Sequence, residues 1–242
     1  MAQTSKTFVL LSGGIDSATC LGIAVHKFGN RNVHAISIDY GQRHIKETRC
    51  AMDLTSHFDV DHEIVDMAPP PASMLTDPTA AVPNISYSEI KGVSPTYVPF
   101  RNGQLLSRIA GIAQAWCKEV DFDPPIRSAL IYTGVHAEDA QDWAYPDCTP
   151  EFIGAMANAI YIGTYHQVRL EAPLQYLTKQ QIIELGVKLG VPYELSWSCY
   201  KGEDLHCGTC PTCRARHQGF VDAHVEDPTV YANPFEVALA DT

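Results

Sequence analysis

Short apolar stretches alternate along this chain with longer segments whose apolar residues fall at helical spacing. Phe8-Val9-Leu10-Leu11 opens the series; residues 7–11 predict a first strand and 16–28 a first helix. Asn32 to Asp39 predicts a second strand, residues 45–58 a second helix, and His62-Glu63-Ile64-Val65-Asp66 a third strand. Further on, residues 103–117 predict a helix with an Ala- and Ile-rich buried face. Residues 129–135 predict a strand running into Gly134, 152–162 a helix and 168–174 a last strand. Thr178-Lys179-Gln180-Gln181 has capping-box form, so a helix opens there; it stops near Leu189, with Gly190 and Pro192 as stop signals. This alternation predicts an α/β fold: a doubly wound, mainly parallel sheet with helices on both faces and right-handed crossovers.

The rhythm breaks once. Residues 66–100 carry Pro69, Pro70, Pro71, Pro78, Pro83, Pro95 and Pro99, and a segment this long without regular structure is either a functional flap or a tolerated insertion. The expected organisation is an α/β domain over 1–195, with the proline-rich flap at 66–100, and a short metal-binding segment over 196–242.

Composition narrows the function classes. At 242 residues and 45% hydrophobic, the chain suits one large domain or one domain with an appendage. The net charge of −11 argues against a stable complex with a long polyanion such as DNA or tRNA. No apolar run reaches membrane-span length, and residues 1–7 lack a signal-peptide pattern, so a cytoplasmic location is expected.

Two clusters carry candidate chemistry. In Ser12-Gly13-Gly14-Ile15-Asp16-Ser17, a Gly-Gly loop joins a strand to a helix start, where converging backbone N–H groups and the helix dipole favour an anion. Ser12 and Ser17 add hydroxyl donors. Asp16 beside a phosphate calls for an intervening cation, so it reads as a Mg²⁺ contact; a turn with a helix cap is the plainer alternative. No lysine stands in the loop, so it is not a Walker motif. The second cluster is Cys199, Cys207, Cys210 and Cys213, spaced Cys-x₇-Cys-x₂-Cys-x₂-Cys. Four thiolates in tight turns suit a closed, structural Zn²⁺ site. An iron–sulfur cluster, a redox Cys207–Cys210 pair, or His206 or His217 in place of one thiolate are the rivals. Cys20, Cys50, Cys117 and Cys148 read as small buried hydrophobes.

The Ser12–Ser17 loop resembles that of the ATP pyrophosphatase (PP-loop) superfamily, which binds the pyrophosphate end of ATP and transfers AMP to a substrate oxygen. Together with the cysteine cluster, four inner segments extend the likeness from about Phe8 to Phe220: Tyr40-Gly41-Gln42-Arg43-His44; Val98-Pro99-Phe100-Arg101-Asn102; Thr133-Gly134-Val135-His136 with Tyr145-Pro146-Asp147-Cys148; and Trp197-Ser198-Cys199-Tyr200. On these the chain resembles the QueC family, the 7-cyano-7-deazaguanine synthases. The resemblance implies an adenine nucleotide alpha hydrolase-like fold, a homodimer, and an ATP-dependent ligase. Such an enzyme converts 7-carboxy-7-deazaguanine and ammonia to the nitrile through an adenylated carboxylate and an amide. It also implies roles. Asp16, Lys179 and Arg101 are catalytic; Ser12, Gly13, Gly14, Asp16, Ser17, Tyr40, Gln42, Arg43, His44 and Lys179 flank ATP. Phe100, Arg101, Asn102, Gly134, His136, Tyr145 and Asp147 meet the substrate, Tyr145 by stacking and Asp147 at the guanine-like N–H edge. Glu138, Asp139 and Asp142 are read as helix-start carboxylates. Many members carry Gly where this chain has Phe100, a ring expected to narrow or line a pocket. That departure keeps open a QueC-like enzyme joining the deazaguanine to a protein amine. Another PP-loop enzyme such as a tRNA thiolase, or a non-enzymatic zinc module, completes the alternatives.

Overall fold

Five parallel strands form one sheet in the computed structural model, which describes residues 4–41, 45–68, 84, 94, 96–118, 127–201 and 204–235. They are β1 (Thr4–Leu10), β2 (Val33–Asp39), β3 (Asp61–Asp66), β4 (Arg127–Tyr132) and β5 (Val168–Glu171), in the order β3-β2-β1-β4-β5. The helices are α1 (Ile15–Phe28), α2 (Ile45–Phe58), α3 (Arg101–Lys118), α4 (Pro150–Gly163), α5 (Lys179–Lys188) and α6 (Pro211–Asp222).

Because successive strand residues point to opposite faces, each central strand feeds two cores. Phe8, Ile36, Ile131 and Leu170 turn to one face, where α3 and α4 cover them with Leu106, Ile109 and Ile153. Val9, Ala35 and Tyr132 turn to the other, under Leu21 of α1, Leu54 of α2, Ile182 and Ile183 of α5 and Phe220 of α6. This is the doubly wound architecture expected from the alternation of elements.

Two strands end earlier than predicted. β4 stops at Tyr132 and β5 at Glu171, the last rung being Thr133 N–H to Glu171 O at 3.2 Å. Beyond it the chain after β4 leaves the sheet toward α1, and Pro173 has no N–H to extend the ladder. α3 begins two residues before the predicted Gly103, because Asp147 Oδ2, distant in sequence, accepts the Asn102 N–H at 2.9 Å and stabilises the extra turn. The capping box of α5 forms as read: Thr178 Oγ1 accepts from Gln181 N–H at 3.2 Å, and Gln181 Oε1 from Thr178 N–H at 3.0 Å.

Most of the expected flap at 66–100 lies outside the described residues. Among the described residues no helix is long and apolar enough to cross a membrane. The segment after 195 packs on α5 through Phe220, which is buried edge-on to Tyr193 at 5.6 Å between ring centroids. Phe220→Ala should therefore lower unfolding free energy by roughly 3–5 kcal/mol, read from denaturant melts; a loss near zero would mean that α6 does not share the core.

Candidate active site

The chain leaves β1 toward β2 and β3, then returns to β4 and β5 on the other side of β1. The carboxyl ends of β1 and β4 thus flank a topological switch point, where open α/β sheets bind ligands. Two loops meet there. Gly134, just past β4, abuts the start of α1: a Cβ on it would lie 2.9 Å from both Asp16 C and Ser17 N. The loop from Ser12 to Gly14 is held by Ser17, whose Oγ accepts the Ser12 N–H at 3.2 Å and donates to Gly14 O at 3.1 Å. Gly13 takes φ of 88°, and a Cβ there would strike the Glu47 carbonyl at the start of α2. No side chain caps the N-terminus of α1, which leaves its first N–H groups for an anion.

Lys179 closes the site from the first position of α5. Its Nζ donates to Asp16 Oδ1 at 2.6 Å and to His136 Nε2 at 3.1 Å. His136 also lies 3.4 Å from Asp139 Oδ2, while Glu138 Oε2 accepts the Lys179 backbone N–H at 2.7 Å. Burial alone would raise the Asp16 carboxyl, but Lys179 and His136 outweigh it and hold it below its ordinary value. The same pairing, with Asp139 and Glu138 nearby, keeps the Lys179 ammonium above its usual range despite burial. Glu138 and Asp139 thus do more than open a helix.

These groups face a cavity of about 590 Å³. Arg101, the first residue of α3, also borders it, together with Tyr40 and Glu47. Burial opposes the Arg101 charge, yet Tyr40, Tyr200, Cys148 and Asp147 around it raise the guanidinium further. Thr212 and Arg216 of α6, with Trp197 and Ser198, form another wall.

Of the residues singled out in the sequence, Ser12, Gly14, Asp16, Ser17, Tyr40, Arg101, Asn102, Gly134, His136 and Lys179 border this cavity. Gly13 lies behind it, its carbonyl accepting the Trp197 N–H at 2.8 Å. Gln42, Arg43 and His44 lie outside the described residues. Three positions stand off the cavity lining. Asp147 is buried beneath α3 as its cap, and the Tyr145 hydroxyl is engaged by Ser94 and Thr96. Phe100 is half exposed and packs edge-on against Phe152, and among the described residues its ring is not part of the cavity lining it was expected to narrow or line. Glu47 lacked distinguishing context in the linear sequence, and Trp197, named only within Trp197-Ser198-Cys199-Tyr200, had no site role assigned; they reach the site through packing of α2 and the 197–200 segment on the Gly-Gly loop.

The four cysteines converge beside this wall. All are buried, with ligand atoms within 4.8 Å of one another. Backbone N–H groups point at the sulfurs: Cys207 N to Cys199 Sγ at 3.4 Å, and Thr209 N and Cys210 N to Cys207 Sγ at 3.3 Å each. Such donors favour thiolates at these sulfurs. The donor set therefore fits a thiophilic metal ion. The two histidines stand apart from it: His206 Nε2 accepts the Ser198 N–H at 3.2 Å, and His217 Nδ1 meets Asp227 at 3.2 Å.

A doubly wound parallel sheet with a Ser-Gly-Gly-x-Asp-Ser loop and an uncapped helix N-terminus at its switch point defines an α/β protein with a candidate anion site. More narrowly, the chain belongs to the QueC family: the model described as "Queuosine biosynthesis protein QueC" matches residues 6–224. A 7-cyano-7-deazaguanine synthase from Thermoplasma volcanium is 42% identical over 234 residues, covering 94% of this chain and 91% of that one. A second, from Oceanobacillus iheyensis, is 41% identical over 93% of this chain and 98% of its own. A third, from Coxiella burnetii, is 38% identical over 93% and 97%.

Gly134→Ala tests the contact between the two loops. Backbone, not a flexible side chain, meets the added methyl, so pyrophosphate binding measured by calorimetry should weaken roughly 10-fold or more, in keeping with overpacking costs of about 1–3 kcal/mol. Unchanged affinity would show that the loops do not need this close approach.

Proposed function

We propose that this protein is a 7-cyano-7-deazaguanine synthase, an ATP-dependent ligase that converts the carboxylate of 7-carboxy-7-deazaguanine to a nitrile with ammonia. The observation that carries it is the Ser12–Ser17 loop closed by Lys179 at the sheet's switch point, in a chain of the QueC family. A carboxylate becomes electrophilic only when one oxygen leaves readily, and adenylation supplies that leaving group. The uncapped N-terminus of α1 and the Ser12 and Ser17 hydroxyls would hold the departing pyrophosphate. Lys179 would shift from Asp16 toward phosphate as charge develops there, and Arg101 would hold a carboxylate or phosphate. Asp16, with Asp139 close by, would hold Mg²⁺, whose charge would neutralise phosphate oxygens.

Ammonia attack on the activated carboxylate gives the amide, and a second activation lets the amide lose its oxygen. The protein-amine alternative rested on Phe100, whose ring stands off the cavity lining and offers it no support. For the cysteine cluster we assign Zn²⁺ in a structural role. Four thiolates complete its coordination, leaving no position for catalysis.

Mass spectrometry of reactions containing ATP and 7-carboxy-7-deazaguanine, with and without ammonia, tests the activity. The nitrile and AMP should accumulate only with ammonia; absence of both in the complete mixture would end this assignment. For the metal, Cys210→Ala should yield protein lacking stoichiometric zinc by plasma emission and melting below the parent, because metal binding contributes folding free energy. Equal metal content and melting temperature would contradict the site.

A further inference from the structure

One carboxylate at the cavity remains without a task. Asp16 and Glu138 are engaged by Lys179, and Asp139 lies against His136. Glu47 also borders the cavity, yet among the described residues no hydrogen bond or ion pair engages its carboxylate. Its placement is tightly set. The first turn of α2 rests directly on the anion loop, where the missing side chain of Gly13 leaves room for the Glu47 carbonyl. From there the side chain enters the same cavity as Asp16 and Lys179, beside Arg101 of α3 and Tyr40 beyond β2. Burial, only partly opposed by Arg101, pushes the Glu47 carboxyl up to about 7. Among the described residues the titratable groups beside Glu47 other than Arg101 are the Tyr40 phenol and the Cys50 thiol, both raised and uncharged near neutrality.

We propose that Glu47 is the general base that deprotonates ammonium for attack on the activated carboxylate, an inference that rests on the ligase reading above. Ammonium predominates over ammonia at neutral pH and has no lone pair for attack. The Glu47 carboxylate takes one N–H proton, and the freed ammonia forms the C–N bond at the acyl carbon. The C–O bond to AMP breaks with its electron pair going to the phosphate, and the surplus proton on the new nitrogen leaves with AMP. The products are the amide, singly protonated AMP and protonated Glu47, so charge and protons balance. A group titrating near the working pH can accept this proton and release it to solvent before the next cycle. Asp16 suits the task poorly, because its pairing with Lys179 holds it at low basicity.

The test is Glu47→Gln, with Glu47→Asp as a milder companion that keeps the acid but withdraws it. Substrate-dependent exchange of labelled pyrophosphate into ATP reports adenylation alone, and amide formation reports the attack. Wild-type protein without exchange would overturn the ligase reading itself. With exchange present, Glu47→Gln should retain it within about 3-fold while losing on the order of 10²-fold in turnover with ammonium. Hydroxylamine, uncharged at neutral pH, should restore Glu47→Gln to near the wild-type rate with the same nucleophile. Glu47→Asp should fall between the two proteins with ammonium. Equal losses with ammonium and hydroxylamine, or a parallel fall in exchange, would overturn the base role and leave Glu47 as a support for Arg101.

Discussion

The hydrogen bond from Trp197 N–H to Gly13 O, 2.8 Å long, joins the cysteine-bearing segment to the anion loop, and much of the site depends on it. A Gly-Gly loop has few side chains with which to hold its shape. Here it is fixed from inside by Ser17 and from outside by Trp197. Trp197 is in turn held by the fold's most demanding buried group, Arg216, which is 2% exposed. Its guanidinium donates to Ser196 Oγ at 2.9 Å, Ser198 Oγ at 3.2 Å, Tyr193 O at 2.8 Å and Thr229 Oγ1 at 2.6 Å. Four neutral acceptors satisfy a buried cation only if the surrounding loops are in register. Arg216 sits on α6, which starts within the cysteine motif, so a metal ion held there would tie helix placement to loop shape.

The same arrangement explains how an acidic protein offers a site to a polyanion. The charge of −11 is a property of the whole surface, whereas the cavity is bordered by Lys179, Arg101 and Arg216. Its carboxylates are largely committed to local partners: Asp16 to Lys179, Glu138 to a backbone N–H, Asp139 to His136. Local cations within a low-dielectric cleft outweigh distant surface charge, because screening removes the latter over about 10 Å. A long nucleic acid would meet the acidic surface, whereas a small anion would meet the cations of the cleft.

Local signals made much of this legible before any coordinates. The Thr178–Gln181 capping box placed Lys179 at a helix start, and the apolar run before Ser12 placed the anion loop at a strand end. Both are readable because cause and effect lie within a few residues of one another. The misplaced boundaries have distant causes instead. Asp147 lengthens α3 from 45 positions away, and β4 ends where Gly134 must pack on α1. Glu47 escaped for the same reason: on α2 it looks like any first-turn acid, and only the close approach of Gly13 brings it to the cavity.

Phe100 carries this lesson one step further. Its backbone adopts φ of 52°, a region glycine enters freely and a phenylalanine enters at a cost. The turn it makes reverses the chain immediately before α3 and delivers Arg101 to the first helical position. A glycine would meet that demand without strain. This chain meets it with a ring that lies over Gly103, where a Cβ would clash, and against Phe152 at 5.7 Å. Packing on the outside of the fold offsets part of the backbone strain, while Arg101 borders the cavity. Among the described residues the contacts of the ring lie off the cavity lining, so the side chain at position 100 bears on the chain path into α3.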